Sequence, residues 1–321
     1  MIDPTVEPTA PLDELSATLT DDGENRLAAA EAAGTLAAVD PDRASGLVDP
    51  LVAVATESVP VSDAATRRAA THALVRIGRA HPEALAPHAD ALASLVSAPE
   101  RGIAENAAGI CAVVAESRPD AVAGVREELL GSLERYDHGA TVDALAALRA
   151  VAADDPSEIR PAIERLCRLL SSQAPDVAAA ACRALGPLAA TDADRLAAHD
   201  REFAALLRAE RPACRTAAGR TVAGALPFAP FPLARERVPE LLDAGKPSVR
   251  RAGADAVVSL AQIDPGAFED PHQVALELRA ARDSLPIDAR SRDAVDEGIA
   301  ALEAVRASER GDPTTGRAET R

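Results

Sequence analysis

An alanine-sized residue returns along this chain at a nearly fixed interval, and that recurrence leaves few folds open. Ala144 to Pro156 (ALAALRAVAADDP) has an echo thirty-seven residues earlier, Ala107 to Pro119 (AAGICAVVAESRP), and another thirty-seven later, Ala181 to Ala193 (ACRALGPLAATDA). Aligning all copies gives a column at Ala29, Ala70, Ala107, Ala144, Ala181, Ala218 and Gly253, with spacings of 41, 37, 37, 37, 37 and 35. Three residues on stand Ala32, Ala73, Ile110, Ala147, Ala184, Thr221 and Ala256. The next position reads Ala33, Leu74, Cys111, Leu148, Leu185, Val222 and Val257, and three further on come Leu36, Ile77, Val114, Val151, Leu188, Ala225 and Leu260. Offsets of 0, 3, 4 and 7 trace one face of an α-helix. Small residues there admit a neighbouring helix, while Leu and Val fill the space beyond. The chain reads as a stack of two-helix repeats, each contacting its neighbours.

A junction ends each of these helices at Pro41, Pro82, Pro119, Pro156, Ala193, Pro230 or Pro265. In Asp40-Pro41, Asp155-Pro156 and Asp264-Pro265 the aspartate suits the cap of the next helix and the proline its first turn. The second helix then carries its own apolar face. Three residues past the junction sit Ala44, Leu85, Val122, Ile159, Leu196, Leu233 and Phe268. Ten past it sit Leu51, Leu92, Leu129, Leu166 and Phe203, with Leu241 and Val274 displaced by one. Breaker-rich turns follow around Pro99, Asp137-His138-Gly139, Pro175, Pro212 and Pro247. With no useful strand alternation, the expected fold class is all α.

The expected organisation is a lead-in with a short helix over 1–23, a repeat solenoid of about seven helix pairs over 24–285, a capping helix over 286–308 and a disordered tail over 309–321. In the lead-in, Leu12, Leu15 and Leu19 share one helix face; in the cap, Val295, Ile299, Leu302 and Val305 do. Terminal repeats need such covering because their outer faces lack a neighbour.

Composition narrows function. Asp and Glu number 51 against 34 Lys and Arg, a net charge of −17, and Lys246 is the single lysine. Acidic surfaces with scarce lysine suit a salt-adapted protein, since about 1 M salt shortens charge repulsion to roughly 3 Å. An acidic mesophilic protein from a GC-rich genome is the competing reading. The same charge opposes nonspecific nucleic-acid binding, which rests on phosphate neutralisation. No run of about twenty apolar residues is present, so no membrane span is expected. The opening MIDPTVEPTAPLDEL lacks the basic and apolar regions of a secretory signal. A cytoplasmic location is the expectation.

Chemistry-bearing patterns are scarce. Cys111, Cys167, Cys182 and Cys214 form no CxxC pair and read as buried small hydrophobes, with no metal or cofactor expected. No phosphate-cradling glycine loop and no recurring carboxylate pair at catalytic spacing is found. Asp143 and Glu105 flank the expected exposed surface without such a pattern.

The repeated string, as in RRAATHALVRIGRAHPEALAPHADALASLVSAP (67–99) and VRRAGADAVVSLAQIDP (249–265), resembles the HEAT repeat and the wider HEAT-like, armadillo-type α-solenoid family. Val249-Arg250-Arg251 matches the family's Val-Arg opening, Thr66-Arg67-Arg68 nearly does, and Arg215 keeps the arginine. The resemblance covers about four-fifths of the chain and implies a right-handed α-α superhelix. Helices opening near Glu24, Ala65, Gly102, Thr141, Val177, Arg215 and Val249 would then line its concave face. It also implies a non-catalytic scaffold that binds a protein or peptide. HEAT-like metal hydroxylases use His-Glu dyads, and none of the six histidines here precedes a glutamate. HEAT-like DNA glycosylases rely on tryptophans and a basic cleft, and this chain has no tryptophan. HEAT-like phycobilin lyases have diffuse motifs, so an enzyme or enzyme subunit of that type stays as the alternative.

Opposite the small-residue column, His72, Arg76, Arg149, Arg183 and Arg220 are expected to meet solvent as a basic stripe. Guanidinium forks suit carboxylates, and an acidic peptide or protein segment is the expected partner. The competing reading pairs these arginines with nearby Asp and Glu. Pro187 and Pro227 interrupt two helices, and in LPFAPFPL the residues Phe228 and Phe231 form either a binding cleft or ordinary packing of a degenerate repeat.

Overall fold

Helices that recur with small residues on one face pack flank to flank. The computed structural model describes residues 11–21, 25–56, 63–133, 138–286 and 288–310; for 138 and 306–310 it describes the backbone alone. The lead-in before Pro11, residues 22–24, 57–62, 134–137 and 287, and the sequence from 311 lie outside the described residues. No strand occurs among the described residues.

The chain divides into two units, Met1–Ala162 and Ile163–Arg321. In the first unit, α1 (Leu12–Thr20) leads into α2 (Arg26–Val39), α3 (Pro41–Ala44) and α4 (Val48–Ala55). Two full repeats follow: α5 (Ala64–Ala80), α6 (Pro82–Leu85) and α7 (Ala89–Ser94), then α8 (Arg101–Ser117), α9 (Asp120–Ala123) and α10 (Arg126–Ser132). The unit ends with α11 (His138–Asp154) and α12 (Pro156–Ile159). The long helices α2, α5, α8 and α11 pack each against the next, with α4 on α5, α7 on α8 and α10 on α11.

The second unit begins with α13 (Ile163–Arg168) and α14 (Pro175–Leu185), followed by α15 (Ala193–Ala197) and α16 (Asp200–Leu207). Then come α17 (Pro212–Ala225), α18 (Pro232–Arg235), α19 (Pro247–Ile263), α20 (Pro271–Ser284) and α21 (Ala289–Arg310). Here α14, α17 and α19 pack in series, and α20 and α21 cover α19. Pro175, Pro212 and Pro247 each open a long helix, where the missing N–H costs nothing.

Every residue of the column and of its offsets 3, 4 and 7 is buried. The column's one glycine has a steric cause: a Cβ on Gly253 would stand 2.6 Å from Leu241 Cβ and 3.1 Å from the Leu241 carbonyl carbon. Of the terminal helices, Leu15 and Leu19 of α1 and Val295, Ile299 and Leu302 of α21 are buried. Burying aliphatic side chains of this size contributes about 1.5–3 kcal/mol each.

Three expectations need correction. The second helix of each repeat is broken: a one-turn helix such as α3, α6 or α12 is followed by a tighter turn at Ser45–Leu47, Ala86–His88 or Arg160–Ala162. Five residues past the junction stand Gly46, Pro87, Gly124 and Pro161. Proline lacks the N–H that would continue the ladder, and glycine weakens a helix interior. Leu233 is also not a core residue; it is 47% exposed, and Ala234 takes the buried place. The cause is Asp200, whose carboxylate accepts the N–H of Leu233 at 2.7 Å and of Ala234 at 2.8 Å, fixing that turn one residue later. Finally, Asp40 and Asp155 cap through their side chains, accepting from Arg43 N at 3.0 Å and Ser157 N at 2.9 Å. Asp264 does not, because a tight turn at Pro265–Ala267 intervenes and Asp270 caps α20 instead.

Candidate binding groove on the long helices

The face of the first unit's long helices opposite the buried column forms a groove whose walls follow helix periodicity. On α5 the offsets 0, 4, 8 and 11 place Arg68, His72, Arg76 and Arg79 in one ridge. On α8 the offsets 0, 4, 7 and 11 place Gly102, Asn106, Gly109 and Val113, and on α11 Gly139, Asp143 and Ala146 share one strip. A cavity of about 560 Å³ is lined by Glu31, Arg68, His72, Gly102, Glu105 and Asn106 among others. A second, of about 510 Å³, shares His72, Glu105 and Asn106 with it and continues past Arg79, Gly109, Glu116 and Asp143. The two adjoin at those three residues, and together they are called the groove here.

Small residues on α8 let the walls lean inward. A Cβ on Gly102 would meet Arg68 Cδ at 2.9 Å, and one on Gly109 would meet Asp143 Oδ2 at 3.3 Å. The floor is braced by Asn106, whose Nδ2 donates to Thr71 Oγ1 at 3.0 Å and to the Arg68 carbonyl at 3.3 Å. Beneath the ridge, Arg67 is buried and donates from Nε to the Ala55 carbonyl at 3.1 Å. Asp63 caps α5 by accepting from Thr66 N at 2.6 Å, and that bond holds its carboxyl below the ordinary range.

Two of the arginines that line the groove are tied. Arg76 Nη1 donates to the Gly34 carbonyl at 2.9 Å, and Arg101 Nε donates to Glu105 Oε1 at 2.6 Å. Among the described residues no hydrogen bond or ion pair ties the side chain of Arg68, Arg79, His72 or Asp143. Loss of water, then Arg76 and Arg79, hold His72 below its ordinary pKa. Burial raises the Asp143 carboxyl; Arg79 opposes that rise and Glu105 adds to it.

The expected stripe divides between the units. His72, Arg76 and Arg149 belong to the first, Arg183 and Arg220 to the second. His72, Arg149, Arg183 and Arg220 are exposed and Arg76 is half-buried. None of the five stands at ion-pair distance from a carboxylate among the described residues, whereas arginines elsewhere, such as Arg118, Arg126, Arg279 and Arg282, do. His72 and Arg76 line the groove, and Arg149 does not. Reading positions across repeats missed Arg68 and Arg79; their spacing along α5 was the available signal.

Other chemistry is muted. Cys111, Cys167, Cys182 and Cys214 are free and buried, and burial pushes the first three thiols up to about 12 and raises Cys214. No group of three His, Cys, Asp or Glu able to hold a metal occurs among the described residues. Phe231 packs edge-on against Phe203 at 5.9 Å between ring centroids, so it belongs to the core, while Phe228 is exposed. No helix among the described residues is long and apolar enough to cross a membrane.

No family model matches the sequence. No curated protein matches it either. Solved structures do. An engineered protein is similar with a TM-score of 0.74 and 21% identity, covering 90% of this chain and 77% of that one. A chain from work on a phosphorylation switch controlling the interaction between cadherin and beta-catenin has a TM-score of 0.67 at 15% identity, covering 94% of this chain and 63% of that one. The fold is an armadillo-like α-solenoid. Computationally designed armadillo repeat proteins for modular peptide recognition are similar too, with a TM-score of 0.56 and 16% identity over 65% of this chain and 98% of theirs. At these identities the solenoid likeness speaks of fold alone.

Proposed function

We propose that this solenoid is a non-catalytic scaffold that binds a protein or an acidic peptide on the exposed face of its long helices. The observation that carries the reading is the set of arginines left without carboxylate partners on the long helices of each unit: Arg68, Arg79 and Arg149 in the first, Arg183 and Arg220 in the second. In a chain of net charge −17, carboxylates are abundant, and arginines such as Arg126 of α10 and Arg282 of α20 find them. Unpaired guanidinium forks suit incoming carboxylates, which they bind in a bidentate manner. The designed armadillo repeat proteins of similar fold, made for modular peptide recognition, support the same reading.

The scaffold is further proposed to work in the cytoplasm of a salt-adapted microbe, on the strength of its acidic composition. Pull-down from native-salt extract with mass spectrometry tests the function. Wild type retains a protein partner, and the Arg149→Glu/Arg183→Glu variant loses it. Retention of a pigment or other small molecule in place of a protein would sink the scaffold reading. Undiminished capture by the double variant would remove those arginines from the binding surface.

A further inference from the structure

The groove of the first unit has two unlike banks and a low floor between them. Its α5 bank is cationic, with Arg68 and Arg79 eleven residues apart, which on a helix is about 16 Å. An extended peptide covers that length with about five residues. Its α11 bank presents Asp143, and of the two α8 carboxylates that line the groove, Glu105, which a Cβ on Gly139 of α11 would meet at 3.8 Å, is paired with Arg101. The floor is the strip Gly102, Asn106, Gly109 and Val113 of α8, kept low by two missing Cβ atoms. A wholly acidic segment would face Asp143 on one side. A wholly basic one would face Arg68, His72 and Arg79 on the other.

Resting on the scaffold reading, we propose that the segment bound in this groove is extended along α8 and carries charges of alternating sign, its carboxylates turned to Arg68 and Arg79 and its basic side chains to Asp143. Alternation follows from geometry: successive side chains of an extended chain point to opposite sides, so every second residue meets the same bank. Neither Arg68 and Arg79 on one bank nor Asp143 on the other has an ion-pair partner in the free protein, although Arg79 and Asp143 feel each other across the groove. His72 is held below its ordinary pKa by loss of water and by Arg76 and Arg79, and Asp143 is held above its own by burial. An anion beside the first and a cation beside the second relieve both.

Three fluorescent eight-residue peptides with blocked ends provide the test: alternating Glu-Lys, alternating Glu-Ser and alternating Ser-Lys. Binding is read by anisotropy at about 0.05 M salt, where exposed charges still act over more than 10 Å. The wild type binds Glu-Lys at least several-fold tighter than either of the others. Asp143→Asn erases the advantage of Glu-Lys over Glu-Ser while circular dichroism stays unchanged. Arg68→Ala/Arg79→Ala weakens both Glu-containing peptides. Equal or tighter binding of Glu-Ser by the wild type, or an unchanged ratio in Asp143→Asn, overturns the alternating pattern and leaves the acidic-peptide reading standing. If none of the three binds, both fail for this groove.

Discussion

Asp200 is buried in the second unit, and its two oxygens take the backbone N–H groups of Leu233 and Ala234 in the next repeat. An alanine in its place leaves two donors unpaired in a part-buried turn. Asp200→Ala is therefore expected to cost about 1–3 kcal/mol, read as a lower urea midpoint at unchanged m-value, with Leu233 and its neighbours exchanging amide hydrogens faster. A midpoint equal to wild type would show that the turn is held by other means. His72 gives a pH-dependent counterpart. Its folded pKa lies below the ordinary 6.5, so the unfolded chain takes up the proton first. Stability present above the ordinary value is then lost as pH falls through 6.5 toward the lowered folded value. Between about pH 7.5 and pH 5.5, His72→Gln should lose less stability than wild type in urea titrations; an equal loss in both proteins would deny His72 that part.

At the scale of the element, burial of the column predicts that Leu148→Ala, with its side chain fully buried on α11, costs about 2–5 kcal/mol. A change within about ±0.5 kcal/mol would instead place Leu148 at the surface. The column was legible in sequence because one helix face repeats its residues seven times. The breaks in the second helices were equally present, as Gly46, Pro87, Gly124 and Pro161 at one shared position, but an apolar pattern running across them reads as a single helix. The exposure of Leu233 was not legible. It follows from a carboxylate thirty-three residues earlier, a contact that no local periodicity encodes. The groove was partly legible: comparing repeats found His72 and Arg76, while Arg68, Arg79 and the glycines opposite them belong to a pattern along single helices.

For the whole molecule, charge sets the expected response to salt. A net charge of −17 repels itself, and screening shortens that repulsion from about 10 Å at 0.1 M to about 3 Å at 1 M. The melting temperature should rise as KCl increases from about 0.1 M to about 1 M, although exposed pairs such as Arg118 with Asp120 weaken over the same range. A flat or falling melting temperature would favour the reading of a merely acidic composition. Which surface meets other molecules is open to direct measurement. A photo-crosslinking benzoylphenylalanine replacing Ala112, which lines the groove, can be compared with one replacing Ala91, exposed on α7. Adducts to a protein segment are expected from position 112, lost when Arg68 and Arg79 are reversed to glutamate, and none from position 91. Adducts from position 91 alone, or from both positions alike, would contradict that expectation.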